Sequence, residues 1–516
     1  MSTLYEIFAE TAERMPDAPA LESGSVSLTY GELHQYALRL AARMVAEHGG
    51  VPRRVALLAA HSITTYAGYL AAQRLGAAVT PLNPDYPVKR NRMVCDLAGA
   101  DVLLADESGV AQLDAGLGDA TATVLRLTDD EVRAAPVLDV ALPAYATGPD
   151  DAAYILFTSG STGRPKGVPI QHRCAADYIR HNVARFEVGP GARMSHTFDL
   201  TFDPSVFDLF VTWAGGATLV VPQKAELLSP VDYLRERRIT HWFSVPSVVS
   251  VSHELGTLPP GQVTELRYSI FIGEPLTYTQ AEIWSEVAPA AAIVNVYGPT
   301  ELTVACTEFR LGLDPLSWPE TSNDTVPIGD VYDFLEYVIV DVDGRVAEEG
   351  ELCVRGSQRF AGYLDPADDS GRFLQYHAST TVPYDGGGIT AEHYYRTGDR
   401  VRFESGNLVH LGRMDNQVKV RGYRVELGEI EAALRRHPDV TQAVVIATSR
   451  AGETELHCFY TGTEVPELRR WLRKHVPMHM VPRSAARMTA LPLNANGKID
   501  RPALRASLDM VGTTGR

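Results

Sequence analysis

The sequence predicts an α/β protein. A large N-terminal domain of parallel-rich sheets with helices and a β-rich part precedes a small, mobile α+β C-terminal domain. Three observations carry this expectation. Through the first 300 residues, apolar runs of β type alternate with helical patterns, as at Val55–Ala59, Asp101–Ala105, Thr218–Val221, Trp242–Val245 and Ile293–Tyr297. Between about 325 and 412 the pattern becomes strict apolar–polar alternation, with turn signals at Asp343-Gly344 and Glu349-Gly350, as in hairpins. From Asp415 onward a shorter mixed pattern resumes and ends in Pro- and Gly-containing turns. These shifts divide the chain into 1–414 and 415–516. At the start, Met1–Ala20 reads as an amphipathic helix that stops near Pro16, and the glycines of 385–388 mark a mobile loop.

Composition limits what the chain does. Its 516 residues are 45% hydrophobic and 22% charged, the profile of an ordinary globular protein. It contains no apolar run of 18 residues, so no membrane span is expected, and its first residues carry acids where a signal peptide is basic. Five scattered cysteines suggest neither a disulfide framework nor a CxxC zinc site, and the cytoplasm is the expected compartment. A net charge of −17 argues against a general nucleic-acid binder, so any acidic partner must dock on a local basic patch.

The most informative segment is Tyr154–Val168, YILFTSGSTGRPKGV. A β-type run leads into a loop of glycines and hydroxyl residues (Thr158, Ser159, Gly160, Ser161, Thr162, Gly163) that ends on one cation, Lys166. Close-approaching backbone N–H groups, hydroxyl donors and a positive charge are what a polyphosphate needs. The spacing is not that of a Walker loop, because Lys166 follows Pro165 and precedes Gly167.

This loop resembles the phosphate loop of the adenylate-forming enzymes, the superfamily of nonribosomal-peptide adenylation domains, acyl- and aryl-CoA ligases and firefly luciferase. Further blocks follow in that family's order. They are NVYGPTE from Asn295 to Glu301, YRTGD from Tyr395 to Asp399, GRMD from Gly412 to Asp415, NQVKVRG from Asn416 to Gly422 and NGK from Asn496 to Lys498. The resemblance implies ATP and Mg²⁺ as cofactors and an AMP-forming ligase. It assigns the metal to Glu301, the phosphates to Thr300 and Lys166, the adenine to Tyr297 and to the loop Gly273-Glu274-Pro275, and the ribose to Asp399, expected exposed on a loop. Asn295, Gly298 and Arg413 complete the nucleotide set. Lys498 is implied to bridge the attacked carboxylate and the α-phosphate, where a cation stabilises the charge of the transition state. Asp415 is implied as a hinge. One pose offers Lys498 for adenylation, and the other offers the face around Lys419 for thioester formation.

The segment 196–210, HTFDLTFDPSVFDLF, bears on the acid that is activated. It resembles the region where amino-acid-activating members set an aspartate against the substrate ammonium, which places Asp203 there. Asp199, in the near-copy four residues earlier, is the alternative and would suit a β-amino acid. A charge-assisted contact of this kind is worth roughly 1.5–3 kcal/mol. The resemblance gives the side-chain pocket as Pro204, Phe207, Ser244, Ile270, Ile272, Val296, Val304 and Ala305, an apolar lining that implies a small apolar amino acid of alanine, proline or valine size. Its handedness stays open. No carrier-domain or condensation motif occurs in the chain, so the acceptor is expected to be the phosphopantetheine thiol of a separate carrier protein in natural-product (antibiotic, nonribosomal-peptide) biosynthesis, with the basic run 469–475 as a candidate docking face. The competing readings are a CoA ligase for a non-amino carboxylic acid and a catalytically silent binding module.

Overall fold

A computed structural model describes residues 2–119, 122–136, 141–159, 164–223, 226–377, 380–414, 417–450, 453–492 and 499–512. The chain opens with a helix at Leu4–Arg14, capped by Thr3 in a reciprocal bond with Glu6. Strands β1 (Pro19–Ser23) and β2 (Val26–Thr29) follow. Next come β3 (Arg54–Leu58), β4 (Ala78–Leu82), β5 (Val102–Ala105), β6 (Thr123–Arg126), β7 (Ala152–Thr158) and β8 (Lys166–Gln171). Among the described residues these six form one sheet, in the order β6-β5-β3-β4-β7-β8. All its pairings are parallel except β7 with β8. The loop read as a phosphate binder is therefore the connection of an antiparallel pair, with Thr158 opposite Lys166.

A second sheet is built from β9 (Arg193–Ser195), β10 (Thr218–Val221), β11 (His241–Ser244), β12 (Tyr268–Phe271), β13 (Ala292–Tyr297), β14 (Thr307–Arg310) and β15 (Asp330–Val331), together with β1 and β2. Its centre, from β13 through β12, β11, β9 and β10 to β1, is parallel. Both faces of this centre are covered by helices, which is why these strands read as continuous apolar runs and were legible from sequence. One large core cluster joins the two sheets, from Leu4 to Leu408.

The alternating segment forms a third, antiparallel sheet of β16 (Leu335–Val340), β17 (Glu349–Gly356), β18 (Phe373–His377), β19 (Thr380–Pro383), β20 (Tyr394–Glu404) and β21 (Asn407–Arg413). The chain does turn at Asp343-Gly344, where Gly344 has φ 78°. Glu349-Gly350 is not a turn but the start of β17. Gly350 is needed there because a Cβ would lie 2.2 Å from the Val340 carbonyl oxygen of the neighbouring strand. The smaller C-terminal α+β part comprises the hairpin β22 (Gln417–Val420) and β23 (Tyr423–Glu426) and a sheet of β24 (Val440–Arg450), β25 (Glu453–Gly462) and β26 (Ser484–Arg487). Helices such as Leu427–Leu434 complete it, and its two apolar clusters draw only on residues from 418 onward. Among the described residues no helix is long and apolar enough to cross a membrane, and all five cysteines are buried and unpaired.

Candidate active site

The C-terminal ends of β7 and β13, the start of the loop after β13, strand β20 and the β22–β23 hairpin meet in one cleft. This is the expected place for a ligand in a parallel sheet, beyond the carboxyl ends of the strands. At one side lies Asp399. It was expected exposed on a loop, but it sits within β20 and is buried, because β20 is an interior strand paired with β17, β18 and β21. Its carboxylate accepts from the Tyr297 hydroxyl at 2.6 Å, from His410 Nε2 at 3.0 Å and from Arg413 Nη1 at 3.2 Å. Burial alone would raise its pKa; the His410 bond and the Arg413 charge outweigh burial and hold the carboxyl well below the ordinary range.

Glu301 lies at the opposite side, fully buried in a single 3₁₀ turn, Thr300–Leu302. The Tyr363 hydroxyl donates to Oε1 at 2.6 Å, and Arg424 Nη1 donates to both oxygens at 3.0 and 2.9 Å. Burial opposes ionisation here too, yet the Arg424 charge and the Tyr363 bond lower the pKa. Lys166 pairs with Asp368 at 2.9 Å and lies 5.4 Å over the Tyr363 ring. Ser159 Oγ donates to the Arg424 carbonyl at 2.8 Å and accepts from the Glu426 N–H at 3.1 Å. In the candidate adenine loop, Gly273-Glu274-Pro275, Glu274 accepts from the Gly422 N–H at 2.9 Å and the Ser247 N–H at 3.0 Å. Asn295 donates to the carbonyls of Val326 and Pro327 and lines a cavity with Gly273, Glu274, Pro275, Tyr297 and Lys419.

Asp203 is 5% exposed, and burial pushes its carboxyl up to about 7 against the pull of Thr300 and Lys419. A cavity of about 40 Å³ is lined by Asp203, Pro204, Ile272, Thr300, Asp399 and Lys419, among others. Of the other expected pocket residues, Phe207, Ile270, Val304 and Ala305 are buried, Ser244 lines a different cavity, beside Asp199, and Val296 lines a third beside Gly273, Glu274 and Tyr297. Asp199 has a different setting. Its carboxylate is taken by the Thr201 N–H at 2.8 Å and by the Asn83 amide, and it lines a separate cavity of about 220 Å³ with Phe202, Leu227, Trp242, Arg421 and Tyr423. Val304 and its neighbour Thr303 both have positive φ, 71° and 58°, which is costly for β-branched residues. Gln358 holds them: its side chain donates to the carbonyls of Leu302 at 3.0 Å and Ala305 at 2.8 Å, and its own carbonyl accepts from the Thr303 hydroxyl at 2.7 Å. Gly298 lets this segment fold back, since a Cβ there would lie 2.6 Å from Ala305 Cα.

Two family models match the chain: that of the AMP-binding enzyme over residues 8–364 and that of the AMP-binding enzyme C-terminal domain over 429–498. The chain belongs to the AMP-binding enzyme family. It is an AMP-forming ligase of the adenylate-forming superfamily, similar over its length to adenylation domains of nonribosomal peptide synthetases. The phosphinothricin tripeptide synthetase PhsC of Streptomyces viridochromogenes is 35% identical over 99% of this chain and 46% of its own length. The chain spans less than half the length of the curated relatives it matches. Among solved structures, IdnL7 is 37% identical with a TM-score of 0.70, covering 98% of both chains. The adenylation domain AlmE of Vibrio cholerae, solved with glycyl-adenosine-5'-phosphate, is 27% identical with a TM-score of 0.82, again over 98% of both.

In this ligase the cleft brings together Thr158, Ser159, Lys166, Asp203, Tyr297, Thr300, Glu301, Asp399, Arg413 and Lys419 from distant parts of the sequence. Gly160, Ser161, Thr162, Gly163, the hinge candidate Asp415 and Lys498 lie outside the described residues. A magnesium ion fits the donor set, because Glu301 is a hard, fully buried oxygen ligand that requires a cation. The sequence reading missed Tyr363, His410, Gln358 and Arg424. Only Arg424 had a signal, its place in the GYRVE strand just after the matched NQVKVRG block.

Proposed function

We propose that this ligase activates a small apolar amino acid as its aminoacyl-AMP and passes it to the phosphopantetheine thiol of a separate carrier protein. In the first step a carboxylate oxygen forms a bond to the α-phosphorus of ATP, and the bond to the β-phosphate oxygen breaks with release of pyrophosphate. In the second step the thiol sulfur, giving up its proton to water, forms a bond to the acyl carbon and AMP departs with the electron pair. Magnesium, when bound, neutralises phosphate charge. The chain's own residues orient and hold: Asp399 faces the ribose hydroxyls, Tyr297 the adenine, and Lys166 and Thr300 the phosphates.

The observation that carries the amino-acid reading is Asp203. A carboxyl buried at the mouth of an apolar pocket, with its pKa pushed up to about 7, is a group waiting for a cation. A substrate ammonium supplies one; a fatty or aryl acid does not. That Asp199 is already engaged by Asn83 and Thr201 favours Asp203 over the β-amino-acid alternative. The 40 Å³ cavity and the bulk of Ile272 and Val296 favour a small side chain. The 220 Å³ cavity shares the Phe202 wall and runs along the hairpin turn at Arg421, which suits a thiol-bearing arm.

The units 1–414 and 415–516 would swivel about Asp415 between the two steps. Lys419 lies 5.6 Å over the Tyr297 ring, and this supports assigning the hairpin to the second step. The test is amino-acid-dependent ATP–pyrophosphate exchange with a panel of amino, fatty and aryl acids. Exchange confined to fatty or aryl acids would overturn the reading. Lys498→Ala is expected to lose adenylation yet to transfer from supplied aminoacyl-AMP; equal loss of both steps would contradict a swivel.

A further inference from the structure

The hairpin β22–β23 brings two cations into a cleft that holds three buried carboxylates, Asp203, Glu301 and Asp399. Lys419 comes to the side of Tyr297 and Asp399, while Arg424 reaches the other end. Its Nη1 lies 2.9 and 3.0 Å from the two oxygens of Glu301, and its Nε donates to Gln417 Oε1 at 2.9 Å. The Arg424 side chain is 15% exposed and that of Glu301 not at all. A carboxylate buried to that degree is costly without a positive partner. Here the partner comes from the C-terminal part of the same chain, more than a hundred residues away.

We propose that Arg424 is a surrogate cation: it stands on Glu301 in place of the magnesium that accompanies ATP, so that docking of the hairpin and binding of magnesium pyrophosphate exclude one another. This rests on the adenylation reading given above. The argument is one of shared atoms and like charge. Glu301 has two oxygens: Arg424 engages both, and Tyr363 donates to Oε1 as well, so neither oxygen is left for a metal. A magnesium ion sits about 2.0–2.1 Å from its ligand oxygens, which would set it against a guanidinium nitrogen with no water between to screen them. The backbone beside Arg424 is committed too, since Ser159, at the start of the phosphate loop, bonds to the Arg424 carbonyl and the Glu426 N–H. Hairpin docking therefore takes both a metal ligand and a hydroxyl of the phosphate loop. It follows that the hairpin cannot enter while magnesium pyrophosphate remains, and that its entry after pyrophosphate leaves blocks return of that product. The order of the two half-reactions is thereby written into one ion pair.

Hydrogen exchange of the segment 417–426 in the full chain reports the pose, because the Gly422 and Glu426 amides are held by Glu274 and Ser159 of the large part. Magnesium pyrophosphate is expected to deprotect this segment, whereas pyrophosphate with a chelator leaves it protected. In Arg424→Gln the segment is expected to be open without ligand, and magnesium pyrophosphate to bind at least about tenfold tighter by calorimetry, since the population cost of undocking is gone. Arg424→Lys, which keeps the charge, is expected to fall between, and AMP binding verifies that both variants are folded. Three results overturn the inference alone: a wild-type hairpin that stays protected with magnesium pyrophosphate bound, an unchanged affinity in Arg424→Gln, or a weaker one. Failure of wild type and variant alike to bind magnesium pyrophosphate overturns the adenylation reading as well.

Discussion

The two halves of the cleft are built on opposite terms. The amino-acid half is backed by the large part: Phe207, Ile270, Val296, Val304 and Ala305 belong to one continuous core, and none of them changes partner without disturbing packing, although Val418, Lys419 and Gly422 of the smaller part close the cavity from the other side. The nucleotide half is made of charges whose partners come from elsewhere. Glu301 is answered by Arg424 of the smaller part and Lys166 by Asp368, and Glu274 holds the hairpin at Gly422. On the proposed reading, side-chain selectivity would be fixed in permanent packing, whereas the sequence of steps would be carried by contacts that can be exchanged. Asp203 belongs to both halves, since it lies at the border between pocket and charges.

The strongest way to break this division is at that border. Asp203→Ala is expected to lower kcat/KM for the amino acid in the exchange assay by about 10³–10⁴, with the KM for ATP changed little. A comparable loss in ATP binding would show that the halves are not separable. The same carboxyl gives a pH signature. Raised to about 7 in the empty protein, it is protonated below that value and cannot pair with an ammonium. The amino-acid KM should therefore climb as pH falls below about 7, and calorimetry in two buffers near pH 6 should detect a proton released on binding. Asp203→Asn should remove both effects.

A smaller effect is expected at the floor of the pocket. Gln358→Leu leaves the carbonyls of Leu302 and Ala305 without their donor and removes the brace on the positive-φ pair Thr303–Val304. A loss of about 1–3 kcal/mol in stability is expected for such unsatisfied buried groups, measured by denaturant titration. Discrimination between alanine- and valine-sized substrates should blur with it, while the response to magnesium stays as in wild type.

These residues also mark how far the sequence could be read. The buried parallel strands β5, β10 and β13 were legible because a strand covered on both faces must be apolar throughout. Asp203, Glu301 and Asp399 were legible only because they sit in blocks resembling a known family. The placement of Asp399 was not legible: GD after a threonine reads as a turn, but pairing with three other strands, none adjacent to it in a motif, buries it. Glu349-Gly350 failed in the reverse sense, because the close approach of Val340 that demands Gly350 is a cross-strand fact. Gln358 and Tyr363 act on residues 53 to 62 positions away in the chain through side-chain hydrogen bonds, and no local pattern announces such bonds.

Tyr363 offers the finest probe of the charged half. Its hydroxyl donates to Glu301 whether the carboxylate faces Arg424 or a metal, so Tyr363→Phe should weaken both states together. The pose balance reported by the hairpin should shift less than about twofold, while stability at pH 7 falls by about 1 kcal/mol. The sign of its pH dependence follows from Glu301. The carboxyl is lowered from 4.5 in the folded protein, so it contributes stability above that value and loses it as pH falls through the folded pKa. Because Tyr363 is one source of that lowering, the gap in Tm between wild type and Tyr363→Phe should narrow in acid. A gap that stays constant down through pH 4 would mean that the hydroxyl supports the fold through Tyr395, its other partner at 3.2 Å, and not through the carboxylate.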